Sequence, residues 1–244
     1  MKKGALVHSE YTTYAHFLRL RELFGNASAL RFYLDQDPGI NRACILAFSD
    51  RIQEENCHTA FVKFNKELTF DERRKYKNAL IKYVKQLIKE GLAVDQVHAH
   101  RLVVQRSIQE PYSFKGSPEN WFSVPIHKMN ESEKFVALLT DQNLLDIDNL
   151  TALLLDASLA PIDRFFNQVR NMLTLLKRGT SSPSNAGRVW TGASPYNPDM
   201  VHKMLQIYRL HYNYCKVGED NKTPAQRIGL AKGPVEIRKI LYPS

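Results

Sequence analysis

Leu30-Arg31-Phe32-Tyr33-Leu34-Asp35-Gln36-Asp37-Pro38-Gly39-Ile40 is the stretch that decides the fold class. A run of β-favouring aromatic and aliphatic residues stops abruptly at a turn, and Pro38 suits the first turn of a helix. Over residues 38–55, Ile40, Ala43, Cys44, Ala47, Phe48 and Ile52 form the apolar stripe of that helix. Thr59-Ala60-Phe61-Val62-Lys63-Phe64 then reads as the next strand. Upstream, residues 4–8 read as the end of a strand. Thr12 or Thr13 caps a helix carrying Tyr14, Phe17, Leu18, Leu20 and Leu23, stopped at Gly25-Asn26. The order strand, helix, strand, helix, strand makes residues 1–65 α/β.

The middle of the chain changes character. Thr69-Phe70-Asp71-Glu72 is a capping box. The helix it starts is expected to run to Gly91, burying Leu80, Ile81, Val84, Leu87 and Ile88 and displaying Lys75, Lys77, Lys82, Lys85 and Lys89. Two short β-like runs are expected next, at Leu102 to Val104 and Trp121 to Ile126. From about 131 to 178 the pattern is helical, with Pro161 in the first turn of the last helix. Residues 179–198 read as a Ser-, Gly- and Pro-rich loop, followed by a helix from Asn197 or Pro198 to about Cys215.

The chain has 244 residues, with 34 Lys and Arg against 25 Asp and Glu, so its formal charge is +9. A surplus of that size favours a polyanionic partner, nucleic acid before membrane. No stretch approaches the length of an apolar span, and residues 4–7 are too short for a signal sequence. Three scattered cysteines, Cys44, Cys57 and Cys215, argue against a disulfide framework. A reduced, cytoplasmic setting is expected. No Gly-rich phosphate loop, nucleophile elbow or Cys-x-x-Cys pair is present.

Three constellations could carry chemistry. Asp35 and Asp37 stand where a strand ends, a common place for metal-holding carboxylates, although Asp-Gln-Asp-Pro-Gly is also good turn chemistry with Asp37 as a helix cap. Asp163 and Arg170 are seven apart and share a helical face. They could take a metal and a phosphate, or form an ordinary solvated face opposite Phe165, Phe166, Val169, Met172, Leu173 and Leu176. In the C-terminal block, Tyr208 to Tyr214 interleaves aromatic and basic residues, and Thr223, Pro224 and Gln226 make a sound helix start. Cys57, His58, His98 and His100 copy a zinc spacing poorly, His98 and His100 alternating as strand or loop residues would.

Taken together, the strand ending at Asp35, helix 38–55, strand 59–64 and a distant helix with an acid and a basic residue seven on resemble the second half of an RNase H-like integrase core. Phe-Tyr-Leu-Asp-Gln-Asp-Pro-Gly-Ile (32–40), Tyr-Asn-Pro (196–198) and Thr-Pro-Ala-Gln-Arg-Ile-Gly-Leu-Ala-Lys-Gly (223–233) are similar to stretches of integrase-type insertion-sequence transposases. The resemblance implies an α/β (α+β) chain. Its parts would be a partial core (1–65), a mainly helical insertion (66–158), a core helix (159–178) and a helical C-terminal extension (179–244). Asp35 matches the second acid of the Asp-Asp-Glu set and Asp163 falls where the third lies, with Asp156 the alternative. The family usually has Glu at the third position. Arg170, with Lys177 and Arg178, would contact DNA.

The family's chemistry is DNA cleavage and strand transfer at a two-metal carboxylate site, so Mg²⁺ and the double-stranded ends of an element are the implied cofactor and partner. Location in the nucleoid, through DNA, follows. The strand expected to bear the first acid is missing, and Glu10 lies too near the first helix to replace it. The chain is therefore expected to be a truncated transposase product with little strand transfer of its own. One rival is a non-catalytic DNA-binding or inhibitory remnant that associates with itself or with a complete transposase. Another is an unrelated basic helical adaptor.

Overall fold

The two strands expected around Asp35 form and pair. β1 (Leu30–Leu34) runs parallel to β2 (Cys57–Phe64), with Leu30 opposite Cys57 and Leu34 opposite Phe61. The structure is a computed structural model that describes residues 9–115, 117, 119–141, 143, 145–177, 180–182, 185–189 and 197–242. The strand expected at residues 4–8 lies outside them. The chain divides into two compact units, Met1–Pro161 and Ile162–Ser244.

In the first unit, α1 (Ser9–Leu23) begins a few residues before the expected Thr12 or Thr13. After β1, Asp37 caps α2 (Pro38–Ala47), its carboxylate accepting the Ile40 amide at 3.0 Å. The single helix expected over 38–55 is broken. At Phe48 the backbone leaves helical geometry (φ −114°, ψ 19°) and a short α3 (Ser49–Gln53) follows. The break leaves Phe48 fully buried, its ring 4.7 Å from that of Phe32.

The stretch expected to be a mainly helical insertion supplies half of the sheet. α4 (Phe70–Lys89) starts at the Thr69–Glu72 capping box and ends before Gly91, whose φ of +72° suits a residue without a Cβ. Leu80, Val84 and Leu87 are buried as expected, whereas Ile81 is exposed. Leu102 to Val104 is not a strand. It belongs to α5 (Gln96–Ile108), which Asp95 caps by accepting the His98 amide at 2.7 Å, so His98 and His100 are helical too. β3 (Trp121–Val124) appears where expected. β4 (Lys134–Leu138) replaces expected helix and lies antiparallel to both β2 and β3, giving the order β1-β2-β4-β3. α6 (Ile147–Asp156) follows.

Successive strand residues face opposite sides, and the two sides are covered differently. Cys57 and Phe61 face Phe17 of α1 and Ala43, Cys44 and Ala47 of α2. Ala60 and Val62 face Val104 of α5 and Leu150, Leu153 and Leu154 of α6. Helices on both faces explain why β2 is buried nearly throughout, as buried central strands are. The fold is mixed α/β.

α7 (Ala160–Met172) starts at the end of the first unit and continues into the second. A 3₁₀ turn (Thr174–Leu176) follows. Part of the expected 179–198 loop is an antiparallel pair, β5 (Thr180–Ser182) with β6 (Asn185–Val189). α8 (Pro198–Leu210) is capped by Asn197 and passes into a π-helical turn, His211–Cys215. α9 (Pro224–Arg227) has the Thr223–Gln226 capping box, and α10 (Ile237–Leu241) closes the chain. Val169, Leu173 and Tyr208 are the buried centre of this unit, with Phe165, Leu176, Met204 and Tyr212 around them. Phe166 and Met172, expected in the buried stripe, are exposed.

Candidate nucleic-acid interface

Asp35 follows directly on the C-terminal end of β1, and its carboxylate is exposed. One oxygen accepts the Gln36 amide at 2.9 Å, which fixes its direction within the turn. The carboxylate stands at the rim of a cavity of about 770 Å³ in the first unit. Four rings, Phe64, Tyr112, Phe114 and Phe135, make its apolar wall, and Gln36, Lys63, Asn65, Lys66, Glu67 and Glu133 its polar side. Lys63 Nζ lies 4.1 Å from the centre of the Phe114 ring and Lys66 Nζ 5.4 Å from that of Phe64, both within cation–π range. Asp37 is committed to capping α2, so of the two turn aspartates only Asp35 faces the cavity.

Asp163 is exposed in the first turn of α7, in the second unit. Arg170 is half-buried, with its guanidinium 5.7 Å from the Phe166 ring centre. Beside them in sequence, Arg164 lines a polar cavity of about 490 Å³ together with Gln168, Tyr212, Lys216, Asp220 and Arg227. Arg227 and Asp220 form a two-pronged ion pair at 2.7 and 3.0 Å, which holds the Asp220 carboxyl well below the usual carboxylate range. Gly218 leaves room for the guanidinium in this position, since a Cβ there would sit 2.2 Å from Arg227 Nη2 and displace it. Lys216 reaches Gln168 at 3.5 Å. Arg164 has no ion pair or hydrogen bond among the described residues.

The charge is distributed unevenly between the units. Residues 162–244 hold 13 Lys and Arg against 5 Asp and Glu, a surplus of +8, while residues 1–161 hold 21 against 20, a surplus of +1. Lys177 is exposed in the basic unit, and Arg178 lies outside the described residues, as do Trp190 and Tyr196.

Other candidates are spoken for. Asp156 gives one oxygen to Arg31 at 2.6 Å. Cys57 is buried in the core, where loss of solvent pushes its thiol up to about 11. His58 is held below its usual range, first by burial and then by Arg31. His98 accepts the Val94 amide as part of the α5 start. Among the described residues no group of three His, Cys, Asp or Glu is gathered to hold a metal ion. The described carboxylates therefore do not by themselves make the two-metal set that the resemblance implies. No described helix is long and apolar enough to cross a membrane.

Sequence reasoning missed two features. The aromatic wall was hidden because its rings come from β2, from β4 and from the segment before β3. Glu131 and Lys134, each 2% exposed, sit in a stretch read as helix, where charged residues are ordinarily solvated. No protein-family model, curated protein or solved structure matches the chain.

Proposed function

We propose that this chain binds double-stranded DNA as a protein of insertion-sequence transposition, to which it contributes Asp35 and Asp163 as carboxylates. The observation that carries the reading is the segregation of charge, with nearly the whole surplus in residues 162–244. A duplex backbone is a dense line of phosphates, and a basic face gains affinity from it by releasing condensed counterions. Arg164 and Lys216 share the polar cavity of that unit, and no carboxylate pairs with either among the described residues, so both can meet a phosphate there. The in-line attack on a phosphodiester that the resemblance implies uses a pair of metal ions. Two carboxylates alone do not hold such a pair, so the activity proposed for the chain itself is binding, with Mg²⁺ the ion expected at a completed centre.

The sequence motifs support a transposase rather than a general DNA binder. Asp35 directly follows a strand that runs parallel to its neighbour across a helical crossover, an arrangement that agrees with the resemblance. A second reading, a non-catalytic DNA-binding remnant, rests on the same segregation of charge, which asks nothing of Asp35 or Asp163.

Binding to duplex DNA at about 50 and about 200 mM salt, with and without Mg²⁺, tests both. About four neutralised phosphates would weaken binding on the order of a hundred-fold over that range. Binding that Mg²⁺ strengthens, and that Asp35→Asn makes indifferent to Mg²⁺, supports the transposase reading. Salt-sensitive binding untouched by Mg²⁺ and by Asp35→Asn leaves the remnant. Absence of duplex binding at the lower salt sinks both.

A further inference from the structure

We propose that the aromatic cavity beside Asp35 takes an unpaired nucleotide of a single strand, its base stacked on Tyr112 and its phosphates met by Lys63 and Lys66. The inference goes beyond duplex binding. It rests on the first unit alone and requires nothing of Asp163 or of the basic unit.

Tyr112 is the centre of the case. It is half exposed, yet both its backbone and its ring are engaged. Its amide donates to the Trp121 carbonyl at 2.6 Å, and its carbonyl accepts the Trp121 amide at 3.0 Å. Phe114 and Phe135 pack on it with centroids 4.7 and 5.3 Å away. A ring pinned by its backbone, supported by two others and still open to solvent is a stacking platform that loses little freedom when a flat ligand lands on it.

The polar side of the cavity suits a nucleobase more than a continuous phosphate backbone. Asp35, Glu67 and Glu133 would repel phosphates brought among them, whereas base amino and imino groups are donors that carboxylates accept. Glu133 adopts a left-handed backbone (φ +48°) that residues with a Cβ rarely take, and its carboxylate accepts from the Asn65 side chain at 2.9 Å. Asn65 in turn accepts the Glu67 amide at 3.0 Å, so its amide group is fixed at the cavity wall. The Gln36 side chain has no partner among the described residues and can present both a donor and an acceptor to a base edge. The two lysines lie over the Phe64 and Phe114 rings, where they can meet the phosphates flanking a stacked base. A volume of about 770 Å³ accommodates one nucleotide with room for its neighbours' sugars, and bases stacked within an intact duplex cannot enter it.

The test compares a twelve-nucleotide single strand with the blunt duplex of the same sequence, without metal, on the full chain and on Tyr112→Ala and Tyr112→Phe. The single strand should lose about ten-fold in affinity with Tyr112→Ala and keep it with Tyr112→Phe, while duplex affinity stays within two-fold throughout. A 5-iodouracil in the strand should photocrosslink to Tyr112. Equal losses on duplex and single strand, an unaffected single strand, or a single strand that does not bind each overturn the proposal. Because the readout is the difference between strand and duplex without Mg²⁺, a chain that fails the metal test above can still pass this one, and the reverse.

Discussion

Lys134, 2% exposed, donates from Nζ to the carbonyl of Ala157, the residue that ends α6. An ammonium in that position has lost its water, and burial pushes its pKa down to about 8 against the attraction of Glu131. An unfolded lysine titrates near 10.4. Below about pH 8 both states carry the proton, and the folded chain bears the full desolvation cost. Between about 8 and 10.4 the unfolded chain binds more protons, so stability from this residue rises with pH.

Lys134→Met abolishes that titration in both states. Its stability relative to the natural chain should therefore be greatest near pH 7 and shrink on the order of 3 kcal/mol by pH 10. The buried thiols of Cys44 and Cys57, pushed up to about 12 and about 11, act in the opposite sense above about pH 8.5 but are common to both chains. Urea midpoints for the two proteins at several pH values check this, and parallel curves would refute it.

Glu131 closes the same corner from the other side. Its oxygens accept the Ser158 hydroxyl at 2.9 Å and the Leu159 and Ala160 amides at 2.8 and 3.0 Å, where α7 begins. Amides at a helix start have no partner within the helix, and a carboxylate there also meets the positive end of its dipole. Glu131→Ala should cost on the order of 3 kcal/mol, since buried donors are left without an acceptor. Glu131→Gln, which keeps one acceptor oxygen, should cost about half as much. An Ala variant as stable as the natural chain in urea would show that water or a rearranged loop replaces the carboxylate.

The sequence was legible where one local signal dominated. Leu30–Leu34 is a β-favouring run closed by an Asp-Pro turn, and Thr69–Glu72 and Thr223–Gln226 are reciprocal caps that need no tertiary partner. It was misleading where distant contacts decide. Leu102-Val103-Val104 has strand propensity but lies on a helix that Asp95 starts six residues upstream of Arg101. Lys134–Leu138 becomes a strand because β2, some seventy residues earlier, offers its edge. At Phe48 neither Gly nor Pro marks the break. Of the site, the position of Asp35 at a strand end could be read directly. The cavity beside it could not, because no single window of sequence holds its walls.

The three thiols should separate cleanly. Cys44 and Cys57 are buried with strongly raised pKa values, and a buried, protonated thiol is a poor nucleophile. Cys215, at the end of the π-helical turn, is raised as well but partly exposed. Titrated with an uncharged maleimide at about pH 8, one thiol should react in the folded chain and the other two only in denaturant. Reaction of all three without denaturant would show that Cys44 and Cys57 are reached by solvent in the folded chain.

Asp220 restrains a cation that the proposed DNA interface could otherwise use. Its carboxylate takes both prongs of Arg227 beside Arg164 and Lys216, and removes one charge from the cavity they share. In Asp220→Asn the guanidinium is released and the surplus of residues 162–244 rises by one. Duplex affinity at low salt should then increase, and the plot of log affinity against log salt should steepen by about 1, the mark of one more phosphate contact. Arg164→Ala should flatten the same plot by about 1. If instead Asp220→Asn weakens binding and leaves the slope unchanged, the pair serves to shape the loop around Gly218, and Arg227 does not touch DNA. A slope that neither variant moves would remove this cavity from the interface and leave the charge surplus to the rest of the unit.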